Sequence, residues 1–220
     1  AVAEHALSLM LALSRRLAEA RDHQTAHLWR GMIGDLTQRE DELHGKTVLI
    51  VGMGRIGAKI AALTKAFGMK VIGIRQDPKA GSNGADRIGG MGDLGALVQE
   101  ADYVVLSCAL TPQTEGLIRH DIVARMKKSA FLVNVARGRV VDEQGLIAAL
   151  QAGQIAGAAL DVVVEEPMPA ASPLWDLPNV LITPHSAGET RAYEDNVLDI
   201  LIENLEHLWR GETQLRNGLL

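Results

Sequence analysis

The sequence predicts an α/β fold built on a doubly wound parallel sheet, and three observations predict it. From residue 47 onward, short apolar runs alternate with helical stretches. One of them, Val48-Leu49-Ile50-Val51, leads straight into Gly52-Met53-Gly54-Arg55-Ile56-Gly57 and then into a helical stretch over 58–67. The intervening turns carry Gly, Pro, Ser and Asn, as over 77–84. Strands separated by helices form parallel βαβ units rather than hairpins.

The elements follow in order. Residues 1–20 read as a helix, with apolar Val2, Leu7, Leu9, Met10, Leu13 and Leu17 along it. The chain starts without Met inside this pattern and with no capping residue ahead of it, as a helix cut from a longer protein would. Residues 21–44 are polar and irregular, with Trp29 and Ile33 isolated in them; a loop of that length in a compact domain has a task. Strands are expected at 47–51, 70–74, 103–107, 130–135, 155–163 and 180–183. Helices are expected at 56–67, 93–100, 120–126, 143–152 and 189–209, the one at 143 capped by Asp142.

Bulk properties narrow the functional classes. The 220 residues can bury a full core, and 47% hydrophobic with 22% charged residues is ordinary for a folded globular chain. A net charge of −5 offers no electrostatic footprint for nucleic acid or anionic membrane. The longest apolar stretch, 6–13, is too short to span a bilayer, and no signal-peptide pattern is visible. The single cysteine, Cys108, permits no intrachain disulfide and suits a reducing cytoplasm. It follows an apolar run and reads as a buried structural thiol. No metal-ligand set is expected.

The glycine run carries the first chemistry. The first glycine permits a tight turn, the second removes a Cβ that would meet a pyrophosphate, and the third lets the helix pack on the strand. The helix start then offers oriented N–H groups to phosphate, so the motif reads as a binding turn for NAD or NADP. In open α/β sheets ligands bind beyond the carboxyl ends of the strands. There the chain places Ala136-Arg137-Gly138, then Asp161 and Glu165-Glu166-Pro167, then Pro184-His185. An arginine, carboxylates and a histidine thus leave three successive strands toward one rim.

These residues resemble the D-isomer-specific 2-hydroxyacid dehydrogenases along the whole chain. The resemblance rests on Val2-Ala3-Glu4-His5, the glycine run, Asn134-Val135-Ala136-Arg137-Gly138-Arg139-Val140-Val141-Asp142, Ala159-Leu160-Asp161-Val162, Glu165-Glu166-Pro167 and Thr183-Pro184-His185. It implies a Rossmann-like NAD(P)-binding domain over 1–187, including a helix and dimerisation arm over 1–44. It also implies that the C-terminal helix and tail, 188–220, belong with a substrate domain whose N-terminal part is absent here. The implied activity is reduction of a 2-oxo acid to a D-2-hydroxy acid by a cytoplasmic homodimer. Two rivals stand beside it: an NAD(H)-sensing, corepressor-like interaction protein, and a cofactor-binding fragment without turnover.

The resemblance also implies roles. Arg137 would pair with the substrate carboxylate and polarise the 2-oxo group, for which a guanidinium fork is suited. His185 would be the general acid in reduction and the base in reverse. Glu166 would hydrogen-bond His185 and favour its protonated form; only the following Pro167 distinguishes it from Glu165. Asp161 would face the nicotinamide carboxamide, or else be a solvated strand terminus. Cofactor contacts are implied for Gly52, Gly54, Arg55, Ile56, Gly57, Arg75, Pro112, Asp161 and His185. Arg75 departs from the common pattern: an NAD-selective site wants an acid at the end of the second strand, and here Arg75-Gln76 precede the first acid, Asp77. An arginine there suits a 2′-phosphate, which slightly favours NADP. The alternative is that it stacks on adenine or faces solvent while Asp77 or water serves the ribose.

Overall fold

The computed structural model describes residues 1–217, and the chain divides into two units, residues 2–187 and residue 1 with 188 onward. The first unit opens with helices α1 (Val2–Ser14) and α2 (Leu17–Thr25). The expected single helix over 1–20 is therefore wrong. It breaks at Arg16, whose φ of 48° is left-handed, and α2 runs on into the stretch expected to be irregular. Only α1 has an apolar face to bury: Ala3, Ala6, Leu9 and Met10 enter the core, whereas α2 buries nothing. The following segment exposes Trp29 at 97% and Met32 at 89%.

The rest of the unit is one seven-stranded sheet. In chain order come β1 (Thr47–Val51), α3 (Arg55–Ala66), β2 (Lys70–Ile74), β3 (Arg87–Gly89), α4 (Leu94–Leu97), β4 (Tyr103–Leu106), α5 (His120–Val123), β5 (Phe131–Asn134), α6 (Glu143–Gln151), β6 (Gly157–Leu160) and β7 (Val180–Ile182). All pairings are parallel, in the order β3-β2-β1-β4-β5-β6-β7. The strand order reverses beside β1, between β1 and β4, which is where such sheets open a crevice for ligands. Strand β3 was not expected: its three residues hold one large apolar side chain, Ile88, too little for a pattern. The short helices α4 and α5 and the trimmed β6 are likewise less than the apolar runs suggested.

Period-two alternation divides the core into two layers. Leu49, Val51, Ile74, Leu106 and Leu132 point to one face, under α4, α5 and α6. Val48, Ile50, Val71, Val105 and Val133 point to the other, against α1 and α3. Burial on both faces explains why the strands read as continuous apolar runs. Asp102 helps set the pairing at the amino ends of the strands, taking the Thr47 N–H at 2.8 Å and the Lys127 ammonium at 2.7 Å. The opposite ends are left to the polar residues described below.

The second unit contains α7 (Tyr193–Trp209), shorter at its start than the expected 189–209. Its Asn204 side chain exchanges two hydrogen bonds with the Arg216 backbone, at 2.7 and 2.9 Å. Among the described residues no helix is long and apolar enough to cross a membrane.

Candidate active site

The turn after β1 has the geometry that a dinucleotide requires. Gly52 has φ +103°, and a Cβ there would lie 2.5 Å from the Cys108 backbone nitrogen, so the β1 and β4 exits approach as only glycine permits. A Cβ on Gly57 would lie 2.1 Å from the Gly52 carbonyl oxygen, which seats α3 directly on the turn. Gly54 meets nothing within 4 Å, so its open face can take a phosphate. It is also the N-cap of α3 and has no side chain with which to satisfy the helix's first N–H groups, an arrangement that suits an anion. Arg55 and Ile56 lie exposed on the first turn of that helix. Two residues that the sequence did not single out brace the turn. Asn83 Nδ2 donates to the Met53 carbonyl at 2.6 Å, and Ser107 Oγ donates to that of Gly52 at 2.9 Å.

A cleft of about 420 Å³ opens at this turn, with Gly54, Arg75, Asp77, Cys108 and Thr111 in its wall. Arg75 is not a freely solvated arginine, since its Nη1 donates to the carbonyls of Ala80 at 3.0 Å and Gly81 at 2.7 Å. Asp77 caps the short turn that follows, accepting the Lys79 N–H at 2.9 Å. Desolvation pushes the Cys108 thiol above its ordinary range, and the residue is half-buried at the cleft rather than fully buried as expected. Pro112 is exposed in the turn between Thr111 and Thr114, where Thr114 Oγ1 accepts the Thr111 N–H at 2.7 Å and donates to the Ala109 carbonyl at 2.7 Å.

The exit of β5 carries Arg137. Asn134, 1% exposed, accepts the Ala136 N–H at 3.0 Å and donates to the Arg137 carbonyl at 3.1 Å, folding the chain into a tight turn. The exposed guanidinium of Arg137 bonds the Ala136 carbonyl at 2.6 Å. A Cβ on Gly138 would stand 2.0 Å from the Val163 carbonyl, so this turn lies directly on the exit of β6. It also pairs with the 111–118 segment: the Gly116 N–H donates to the Arg139 carbonyl at 2.8 Å, and Ile118 bridges Val141.

The exits of β6 and β7 form one assembly. Glu166 Oε2 lies 2.6 Å from His185 Nδ1, while its Oε1 accepts the Val163 N–H at 3.1 Å. Because a carboxylate only accepts, Nδ1 carries the proton, and Nε2 is the ring atom left for proton exchange. The geometry selects Glu166 over Glu165 as the partner. Asp161 is 2% exposed and thus not a solvated strand terminus. Its Oδ1 accepts the Thr183 hydroxyl at 2.6 Å and the Ser186 N–H at 2.9 Å, and its Oδ2 accepts the Ala187 N–H at 3.0 Å. The Asp161 backbone carbonyl also accepts the His185 N–H at 2.8 Å. Asp161, Glu166 and His185 share the wall of a cavity of about 590 Å³ with apolar Met168, Trp175 and Ile182.

Comparison with known proteins identifies the family. Residues 7–187 match the family described as D-isomer specific 2-hydroxyacid dehydrogenase, NAD binding domain. A glyoxylate reductase of Korarchaeum cryptofilum is 37% identical over 213 residues, which cover 96% of this chain and 63% of that protein. The chain therefore spans less than two thirds of that relative. The D-isomer specific 2-hydroxyacid dehydrogenase of Xanthobacter autotrophicus Py2, solved with NADPH and MES, is 32% identical with a TM-score of 0.85, covering 100% of this chain and 86% of that one. The enzyme of that description from Lactobacillus delbrueckii ssp. bulgaricus, in its NAD-complexed form, is 30% identical with a TM-score of 0.81, covering 97% and 67%. By sequence and by fold, this chain belongs to the D-isomer specific 2-hydroxyacid dehydrogenase family and carries its NAD-binding domain.

Proposed function

We propose that the chain is the cofactor-binding and proton-transferring part of an oxidoreductase that interconverts a 2-oxo acid and a D-2-hydroxy acid. The observation that carries this reading is the 2.6 Å pair of Glu166 and His185 on the same sheet edge as the open glycine turn. In this reading residues 1–187 form the nucleotide-binding domain, and 188–220 belong with a substrate domain. The bound nicotinamide supplies the hydride for reduction and accepts it in reverse. Gly52, Gly54 and the start of α3 hold the pyrophosphate, with Arg55, Ile56 and Pro112 along the cofactor and Asp161 toward its carboxamide end. Arg137 pairs with the substrate carboxylate and draws electron density from the 2-oxo group. His185 delivers the proton from Nε2 to the carbonyl oxygen, and Glu166 stabilises the imidazolium that makes this possible.

Arg75 favours NADP. With Nη1 held by two carbonyls, Nε and Nη2 remain to grip a 2′-phosphate, while Asp77, the first acid after β2, is engaged as a cap. Titration calorimetry should find NADPH bound at least as tightly as NADH, and Arg75→Asp should turn the preference toward NADH. Unchanged NADPH affinity in Arg75→Ala would remove the 2′-phosphate role.

The arm within residues 1–44 is proposed to build a homodimer. Trp29, Met32 and Leu36 stand exposed on it, and apolar groups of that size seek cover. Light scattering at micromolar concentration should report a dimer of the intact protein; a clean monomer would contradict the proposal.

The acid–base pair has the most specific signature. In the intact protein His185→Ala should lower kcat on the order of 10²–10⁴-fold and leave cofactor binding in place. Glu166→Gln removes the carboxylate that holds the Nδ1 proton and stabilises the charge formed on the ring in turnover, so kcat should fall in both directions with cofactor binding retained. Glu165→Gln should leave kcat in place; if it lowers kcat and Glu166→Gln does not, the assigned partner is wrong.

A further inference from the structure

Helix α1 reaches into the turn that carries His185. His5 Nε2 lies 2.9 Å from Thr183 Oγ1 and 3.4 Å from Asp161 Oδ1. The direction of these bonds follows from counting protons. The Asp161 carboxylate, already receiving the Ser186 and Ala187 N–H groups, acts as an acceptor throughout. Thr183 has a single hydroxyl proton, and at 2.6 Å from Asp161 Oδ1 it is given to that carboxylate. The bond between His5 and Thr183 can then form only with His5 donating, so Nε2 carries a proton whether the ring is neutral or charged.

The consequence concerns the backbone on either side of His185. His185 has φ +54°, a left-handed conformation unusual for a residue with a side chain, so the turn must be held from outside. Asp161 holds it by three atoms: its carbonyl on the His185 N–H, Oδ1 on Ser186 and Oδ2 on Ala187. The carboxylate keeps that orientation only if its remaining lone pairs are satisfied, because at 2% exposure water does not replace a missing donor. We infer that His5 is a positioning residue for His185: by donating to Thr183 it locks the hydroxyl onto Asp161 and fixes the turn that presents the imidazole to Glu166. Its platform is rigid, since Ala3, Ala6, Leu9 and Met10 anchor α1 in the core on either side of it. The inference rests on the reading of His185 as the proton donor, but the state of the turn can be read without turnover.

Amide hydrogen exchange on this chain tests it at Ser186 and Ala187. His5→Leu and Thr183→Val should each speed exchange at these two amides about tenfold, the factor that one net hydrogen bond is worth, without changing amides in β1 and β4. His5→Gln places an amide N–H where Nε2 stands and should restore most of the protection. The double variant should exchange no faster than the faster single one, because both remove one chain of bonds. In the intact protein His5→Leu should lower kcat while substrate KM stays as in the parent. The inference is overturned if His5→Leu leaves the two amides protected. It is overturned equally if His5→Gln fares no better than His5→Leu, which would make ring volume the cause, or if the loss spreads through the sheet. Failure of the oxidoreductase reading would look different: no turnover of any 2-oxo acid, with the exchange pattern intact.

Discussion

The arrangement of this site depends on one buried carboxylate. Asp161 ends β6 inside the protein at 2% exposure, where an ionised group persists only when donors surround it. Its side chain finds them on the segment that leaves the neighbouring strand β7, at Thr183, Ser186 and Ala187. Satisfying Asp161 therefore shapes residues 183–187, and the shape places His185 against Glu166. The residue expected as a cofactor contact from its position in the chain is also the one that holds the turn carrying His185.

Close backbone approach does for the other exits what hydrogen bonds do for this one. Gly52 lets the β1 turn touch the backbone at Cys108, and Gly138 lets the Arg137 turn touch Val163. At both places the nearest atoms are backbone, so a side chain could not be relieved by a rotamer change. The sheet supplies parallel strands ending at one edge, and these contacts draw the segments beyond them together. A glycine-turn cleft, an arginine and a carboxylate–histidine pair thereby share that edge. The proposed chemistry would use this, because hydride and proton would have to reach the two ends of one carbonyl bond.

Much of this was legible in the chain. The fold followed from apolar runs alternating with helical stretches, and the glycine roles from their place between strand and helix; both depend on neighbours in sequence. Arg137, Glu166 and His185 followed from asking which polar residues leave each strand, together with the family resemblance. The choice of Glu166 over Glu165 rested on the following Pro167 alone, and it is Glu166 that reaches a ring 19 residues away. What escaped has long-range causes. Asn83 on the Met53 carbonyl and His5 on Thr183 join residues 30 and 178 positions apart. Strand β3 escaped because pairing with β2, not its own three residues, makes it a strand. The break at Arg16 escaped because apolar spacing continues across it to Leu17, which the structure leaves half exposed.

The central claim is that these residues serve hydride and proton transfer to a 2-oxo acid, and isotope transfer tests it most directly. The intact protein would be supplied with NADPH deuterated at C4 of the nicotinamide and, in turn, glyoxylate, hydroxypyruvate and phenylpyruvate. The account predicts deuterium at C2 of the 2-hydroxy acid, in the D configuration wherever that carbon is stereogenic. Tight cofactor binding with no deuterium reaching C2 of any 2-oxo acid would contradict it.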